Sequence, residues 1–465
     1  MTRRAVVIGA GLAGMLAAAA LSPSADEVIV LDRDELPDGP DHRKGLPQGR
    51  HAHVLMAGGM AAMEDVVPGV SMRKQLLAAG AHELATGRDM VALTPEGWFR
   101  RWRHEGPRMI ACSRALLDWS VRVAVLANTR AEVRRGQVVD LLGDAGRVTG
   151  VRVSSGAAGD LGETELAADL VVDASGRGSR VVRWLGGLGV TGIRERTVDT
   201  GLVNATRVYR VPAGAERFPM TIVQADPYVS RPGRSGMILP IEGGRWMVSL
   251  GGTRGGEPPA DPEGFLRYAL ELPHPIVGRL ISGAEPLTDV QISRSTRNDR
   301  RYLEKVRDWP EGLVVLGDAL ATYNPAYGQG MTVAALGAQV LRRELEGTGL
   351  TAAGLARRVQ RQAARPVDSA WAAAVGQDVW YPETHGARPT AADRLVTRFT
   401  RRLTLASTGS YGAAAALWDV TSLQAGPARL LRPSALLAVL NGPLLPPLAG
   451  PPLTKEEWRL VAAAG

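Results

Sequence analysis

The chain has 465 residues, a formal net charge of +8 at pH 7, seven histidines and one cysteine. Its length suits two packed domains with a helical extension, and the lone Cys112 excludes an internal disulfide and fits a reducing, cytoplasmic setting. The positive balance is almost all arginine, with lysine only at Lys44, Lys74, Lys305 and Lys455, and no basic block with interleaved aromatics, so nucleic-acid binding is excluded.

The first predicted strand, Ala5-Val6-Val7-Ile8, opens at once into Gly9-Ala10-Gly11-Leu12-Ala13-Gly14 and a helical stretch ending near Ala20. A second strand, 28–31, ends at Asp32. In such a turn Gly9 allows the tight bend, Gly11 lets a pyrophosphate approach the backbone, and Gly14 lets helix pack on strand. The helix N-terminus then faces the phosphates. A carboxylate about 20 residues on suits the two hydroxyls of an adenosine ribose. Residues 1–32 are therefore expected to hold an adenine dinucleotide, with NAD and FAD both open at this point.

A polar connection rich in Pro and Gly follows, from Arg33 to Gly49, and leads into Arg50-His51-Ala52-His53. No Cys or carboxylate stands at ligand spacing from these histidines, so a structural or cofactor-edge role is expected in place of a metal. Residues 84–110 read as a strand-rich insertion carrying Trp98, Phe99 and Trp102. After Cys112-Ser113-Arg114-Ala115-Leu116-Leu117-Asp118, residues 131–172 read as a β-meander, with 146–153 as a hairpin arm. A short apolar strand then runs into Asp173-Ala174-Ser175-Gly176-Arg177-Gly178-Ser179.

From about 196 to 256 the pattern alternates, with strands at 236–241 and 245–250 joined by Glu242-Gly243-Gly244, and a second, antiparallel sheet is expected to serve as lid and floor for a substrate. Helical patterns at 262–283 lead to another buried strand, which ends in Gly317-Asp318 and continues through Pro325 to Gly328-Gln329-Gly330-Met331. Asp318 is placed to accept hydrogen bonds from a polyol. The glycines at 328 and 330 let N–H groups approach a flat ring that becomes anionic on reduction. A helix from about 331 to 346 and a largely helical remainder follow. No apolar span reaches transmembrane length, since the stretch 434–453 is broken by Pro443, Pro446, Pro447, Pro451 and Pro452, although that tail could touch a membrane surface. No secretory leader is expected ahead of the glycine turn.

These segments, in this order, resemble the FAD monooxygenases of the para-hydroxybenzoate hydroxylase fold. The resemblance implies FAD and an α/β (α+β) architecture: a Rossmann-like FAD-binding domain with a β-meander, an antiparallel-sheet substrate domain and a helical C-terminal region. The implied domains are 1–83 with 108–195 and 285–345 for FAD, 84–107 with 196–284 for substrate, and 346–465 for the helical region. It also implies cofactor contacts at Gly9, Gly11, Gly14, Asp32, Arg33, Arg43, Arg50, Arg114, Val138, Asp318, Pro325, Gly328, Gln329, Gly330 and Met331. Asp32 stands where Glu is commoner, and Met331-Thr332 follow Gly330 where many aromatic hydroxylases carry Asn nearby.

A closer resemblance runs through 43–53, 111–119, 142–153 and 253–261 to the bacterial flavin epoxidases of polyether-ionophore biosynthesis, relatives of squalene epoxidase. It implies epoxidation of a linear polyene polyketide through a flavin C4a-hydroperoxide, with O2 as co-substrate. Electrons would come from NADPH directly or through a separate flavin reductase, since only one dinucleotide fingerprint is present. The substrate would be an apolar polyene, free or tethered to an acidic carrier protein, and Trp98, Phe99, Trp102 and Trp246 are the candidates for its channel. No carboxylate pair, Ser-His-Asp set or metal cluster is evident, so no protein residue is assigned as catalytic and the flavin carries the chemistry. The alternatives are a terpenoid epoxidase or hydroxylase, a flavin halogenase, an isoprenoid double-bond reductase and a non-catalytic lipid carrier. A halogenase needs a lysine near the flavin and a Trp-x-Trp-x-Ile-Pro segment. That segment is absent, and Lys74 stands in a context that does not match.

Overall fold

A computed structural model describes residues 2–154, 162–294 and 296–463. Five parallel strands form the first sheet, in the order Leu313–Val315, Leu170–Asp173, Arg4–Ile8, Glu27–Asp32 and Ala131–Arg135. The inner strands are near-continuous Val, Ile and Leu because the sheet is covered on both faces. Val6, Val7, Ile29, Val30, Val171 and Val314 are all fully buried. The helices Leu12–Leu21 and Gly330–Thr348 pack on each other, and the meander of Gln137–Gly143, Val148–Ser154 and Glu163–Ala167 packs against the central strands. The link between the last two meander strands, 155–161, lies outside the described residues.

The second sheet has seven strands, ordered Gln291–Ser293, Val203–Arg210, Arg245–Gly252, Arg234–Ile241, Met220–Val223, Met90–Thr94 and Gly97–Trp98. It is antiparallel except where Met220–Val223 runs alongside Met90–Thr94. The hairpin at Glu242-Gly243-Gly244 closes because both glycines take positive φ, 75° and 64°, the primed-turn geometry that matches strand twist. Alternation then sorts the side chains. Ala205, Tyr209, Trp246, Val248 and Leu250 pack against the helices Pro262–Leu270 and Ile276–Ser282. Val208, Met237, Leu239 and Met247 face the other way, towards the three-stranded sheet of Val54–Leu55, Arg108–Ala111 and His82–Ala85.

Three expected boundaries move. Strand Gln291–Ser293 pairs with Asn204–Thr206, so the chain leaves the second sheet after 293, not at 285. Strand His82–Ala85 straddles the expected break at 83/84 and belongs to the three-stranded sheet. The helix Leu355–Asp378 is part of the cofactor-domain core. Leu313–Val315 is the edge strand of the parallel sheet, and the buried Gln360 amide satisfies that edge, bonding the Val315 N–H at 3.0 Å and its carbonyl at 3.3 Å. A buried edge demands such partners. Three helices, Ala391–Gly409, Tyr411–Thr421 and Pro433–Asn441, form a satellite bundle next to Phe99, and the last helix, Lys455–Ala463, returns to the second-sheet core through Val461. Among the described residues no helix is long and apolar enough to cross a membrane.

Candidate functional site

The C-terminal ends of the parallel strands open into a cleft of about 490 Å³, the place where open α/β sheets take ligands. The glycine turn builds its floor. Gly9 sits at φ +97°, and a Cβ there would stand 2.7 Å from the Ala174 carbonyl oxygen. A Cβ on Gly14 would lie 1.8 Å from the Gly9 carbonyl oxygen, whereas one on Gly11 would meet only the end of Arg43 at 3.5 Å. Two glycines are thus imposed by chain packing, and the third faces the cleft.

Asp32 closes the turn. Its carboxylate accepts hydrogen bonds from the Ala10 N–H at 2.7 Å and the Asp34 N–H at 3.0 Å, and pairs with Arg43 at 3.4 Å. Arg43 also donates to the Ala10 carbonyl at 3.3 Å, while its Nε is buried with no partner. Asp173 does not face the cleft. It is fully buried and accepts from Ser175 N at 3.0 Å and from the Ser175 and Ser179 hydroxyls at 2.5 Å each, which locks the turn that carries Ala174 and Arg177.

Across the cleft stands Asp318. Among the described residues its carboxylate has no hydrogen-bond donor, and burial pushes its pKa up against the opposing pull of Arg114 and Arg177. Arg114 is anchored to Asp118 at 2.8 Å. An orphaned guanidinium Nε on the arginine beside the open backbone at Gly11, an acidic strand end and a carboxylate without a donor fit a dinucleotide with a polyol arm.

A smaller cavity of about 120 Å³ adjoins the cleft and shares Gln48, Arg114, Arg177, Asp318, Gly330 and Met331 with it. Its walls include His51, Ala52, His53, Val54 and Asn204, and its rim includes Asn324, Pro325, Gly328 and Gln329. His53 Nδ1 donates to the His51 carbonyl at 2.7 Å, which leaves Nε2 as the unprotonated nitrogen. Burial, helped by Arg114, pushes the His53 pKa down to about 3. His51 is hydrogen-bonded to Thr206 at 2.8 Å and is pushed down to about 4, again chiefly by burial. Both rings are neutral at physiological pH. The turn Pro325–Tyr327 ends on Gly328 at φ +65°. Gln329 donates to the Thr421 carbonyl at 3.1 Å and keeps a buried Oε1 without a partner.

Beneath that turn lies Asp378, fully buried. It accepts from Asn298 Nδ2 at 2.6 Å and from Asn324 Nδ2 at 3.1 Å. The Tyr327 hydroxyl completes the set at 2.6 Å. Burial raises the Asp378 pKa, and these three donors oppose the rise by favouring the ionised form. The same burial and the adjacent carboxylate push Tyr327 well above its ordinary range.

Of the expected cofactor residues, Gly9, Gly11, Asp32, Arg33, Arg43, Arg114, Val138, Asp318, Gly330 and Met331 line the cleft. Pro325, Gly328 and Gln329 line the adjoining cavity, and Gly14 lies beneath the glycine turn. Arg50 lines neither; it is exposed and bonds Gln291 at 2.9 Å.

The expected aromatic channel does not form. Trp98 and Trp246 fall on the far face of the second sheet, in the core with Phe218 and Phe265. Strand alternation puts Met247, one residue on from Trp246, on the site face. Phe99 and Trp102 pack with Trp418 and Tyr411, away from the cavity lining. Sequence reasoning gave no role to Arg177, Asn204 or Asp378. Arg177 sits inside the Asp173 turn and could have been found there, whereas nothing local marks Asp378. Among the described residues no group of three His, Cys, Asp or Glu is gathered for a metal.

Residues 2–348 match a family model described as FAD binding domain, and the chain belongs to that family. The class so defined is an FAD-dependent oxidoreductase with the para-hydroxybenzoate hydroxylase fold. Protein Rv3254 of Mycobacterium tuberculosis is 33% identical over 377 residues, covering 79% of this chain and 78% of that protein. Kynurenine 3-monooxygenase of Salinispora arenicola is 30% identical over 353 residues, 71% of this chain and 70% of that one. The solved structure of the flavin-dependent brominase Bmp2 superposes over 94% of this chain and 97% of its own, with a TM-score of 0.62 at 15% identity, a likeness of fold alone.

Proposed function

We propose that this enzyme is an FAD-dependent monooxygenase that epoxidises alkenes of an apolar polyene. In this reading the Gly9–Gly14 turn and Arg43 hold the pyrophosphate and Asp32 holds the ribose. Arg33 and Val138 stand at the adenine end, Asp318 receives the ribityl hydroxyls, and the turn from Pro325 to Met331 meets the ring. FAD held by these residues would, once reduced, supply an electrophilic oxygen atom from O2.

The observation that carries the reading is the placing of two neutral histidines beside the apolar Ala52 and Val54, in a cavity whose other walls are largely polar, Asn204, Thr296 and Asn324 among them. Ala52 and Val54 line the cavity and continue into a layer of Met56, Met90, Val208, Met237 and Met247. His51 and His53 are poor proton acceptors there. Ionising a phenol would need a base near its working pH; oxygen transfer to an alkene does not. Among the described residues no lysine lines either cavity, which counts against a halogenase reading. A second reading, hydroxylation of an aromatic ring, is favoured by the kynurenine 3-monooxygenase relative.

The test is aerobic turnover of a linear polyene polyketide mimic by FAD-loaded protein and NADPH, with and without an added flavin reductase, followed by mass spectrometry. Gain of single oxygen atoms at alkenes supports the proposal, and the reductase omission identifies the electron route. Halogenated product with added bromide, or alkene saturation under anaerobic conditions, replaces it with the halogenase or the reductase. FAD that is bound and reducible without oxygen gain overturns the polyene substrate.

A further inference from the structure

Among the described residues, the satellite bundle and the segment just after it carry the largest group of exposed large apolar side chains. Leu431, Leu436, Leu437, Leu440, Leu444 and Leu445 are all between 38% and 76% exposed. Helix Pro433–Asn441 buries Ala435 and Val439 against its neighbours and turns Leu436, Leu437 and Leu440 outwards. A monomer seldom leaves so many adjacent leucines in water without a use for them.

Charge identifies the partner. The bundle and the segment after it, residues 391–445, hold six arginines and two carboxylates, Asp393 and Asp419, and one of the arginines, Arg401, pairs with Glu96. Asp419 is already paired with Arg429 at 3.1 Å, and Asp393 is engaged at its helix start by the Thr390 N–H at 2.8 Å. Arg432 caps the start of the leucine-bearing helix, and Arg402 reaches its far end, donating to the Val439 and Leu440 carbonyls at 3.3 and 3.4 Å. The outward leucines thus lie between two exposed cations.

We infer that this surface docks the enzyme, in the plane of the interface, on an anionic lipid bilayer. Leucines flanked by arginines gain both from apolar insertion and from the negative surface potential. A second copy fits less well, because a two-fold contact would set the cationic rim of Arg402 and Arg432 against itself. The helix is too short to span a bilayer, so the mode is peripheral. The bundle also touches the cavity rim, where the Thr421 carbonyl accepts from Gln329 at 3.1 Å, and it meets helix Ala57–Val66 through the Ser422 carbonyl, which accepts from the Gly58 N–H at 3.1 Å. This inference is independent of the proposed reaction.

The test is co-sedimentation of the full-length, FAD-loaded protein with phosphatidylcholine vesicles, with and without phosphatidylglycerol. Binding is expected only to the anionic vesicles, weaker in high salt. It should fall about tenfold or more in the double variant Leu437→Glu, Leu440→Glu and measurably in Arg432→Glu. All three positions are exposed, and an unchanged flavin spectrum and melting temperature verify that the variants are folded. Absence of binding by the parent protein overturns the inference, as does equal binding by the folded double variant. A concentration-dependent dimer that the same pair abolishes assigns the surface to a second copy and overturns it too.

Discussion

The Tyr327 hydroxyl donates to the Asp378 carboxylate at 2.6 Å, joining the turn at the cavity rim to the end of a helix 51 residues further along the chain. Asp378 is fully buried and Tyr327 half-buried, and among the described residues no cation shares that carboxylate's hydrogen bonds. Tyr327→Phe should therefore cost about 1.5–3 kcal/mol, the usual worth of a hydrogen bond to a charged group. Urea unfolding of the FAD-loaded protein measures it, and an unchanged midpoint would show the bond to be idle.

The glycine turn separates folding from binding. Gly14→Ala sets a methyl against the Gly9 carbonyl and should yield little folded protein. Gly11→Ala meets only ordinary contact with Arg43, so it should fold with near-parental secondary structure yet retain much less flavin. Circular dichroism beside visible absorbance distinguishes the two outcomes.

Asp318→Asn should act oppositely on stability and on cofactor. Its half-buried carboxylate receives no protein hydrogen bond among the described residues, so neutralising it should leave the apoprotein as stable or more so. FAD affinity should fall about tenfold or more through loss of a charged acceptor. Calorimetric titration of apoprotein with FAD reads the second effect and thermal melting the first.

The histidines give a pH dependence with a defined sign. The pKa of His53 is pushed down to about 3 and that of His51 to about 4, from an ordinary value of 6.5. Between those limits the unfolded chain binds more protons than the folded one, so stability falls as pH drops from about 6.5 towards 4. Each group contributes a slope of about 1.4 kcal/mol per pH unit. His53→Gln should flatten the profile relative to the parent in unfolding titrations from pH 7 to about 4.5. Parallel profiles would mean that the imidazole is protonated in the folded protein.

Trp246 tests the corrected substrate assignment. It is almost fully buried on the far face of the second sheet. Trp246→Ala should cost about 3–5 kcal/mol of stability, while Trp246→Phe, if folded, should leave KM for substrate unchanged. A selective rise in KM would restore this residue to the substrate channel.

What could be read in the sequence follows from how local its cause is. The strand, glycine turn and acid of 5–32 lie within one βαβ unit, so their geometry is written in adjacent residues; Gly14 is required by a contact inside it, whereas Gly9 is also held small by Ala174 and Ser175 from the neighbouring strand's turn. The same holds for Asp318 and the glycines at 328 and 330. The aromatic residues were misplaced because hydrophobic size says nothing about which face of a strand meets the cavity. That choice depends on register across Val203–Arg210 and Arg234–Ile241, where Trp246 pairs with Tyr209 and Pro240. Asp378 was missed for a further reason. Its three donors come from two distant segments, around 298 and 324–327, and a lone Asp in an amphipathic helix resembles any solvated one.

The Asp378 clamp also orders events in time. During synthesis the residues of the glycine turn and the Gly317–Ala319 turn leave the ribosome well before residue 378, so the rim turn emerges while its acceptor is still unmade. A nascent chain can form the first βαβ unit early, yet its flavin cradle stays unlatched until the helix Leu355–Asp378 docks. Locking of the rim turn thereby requires a chain that extends through that helix.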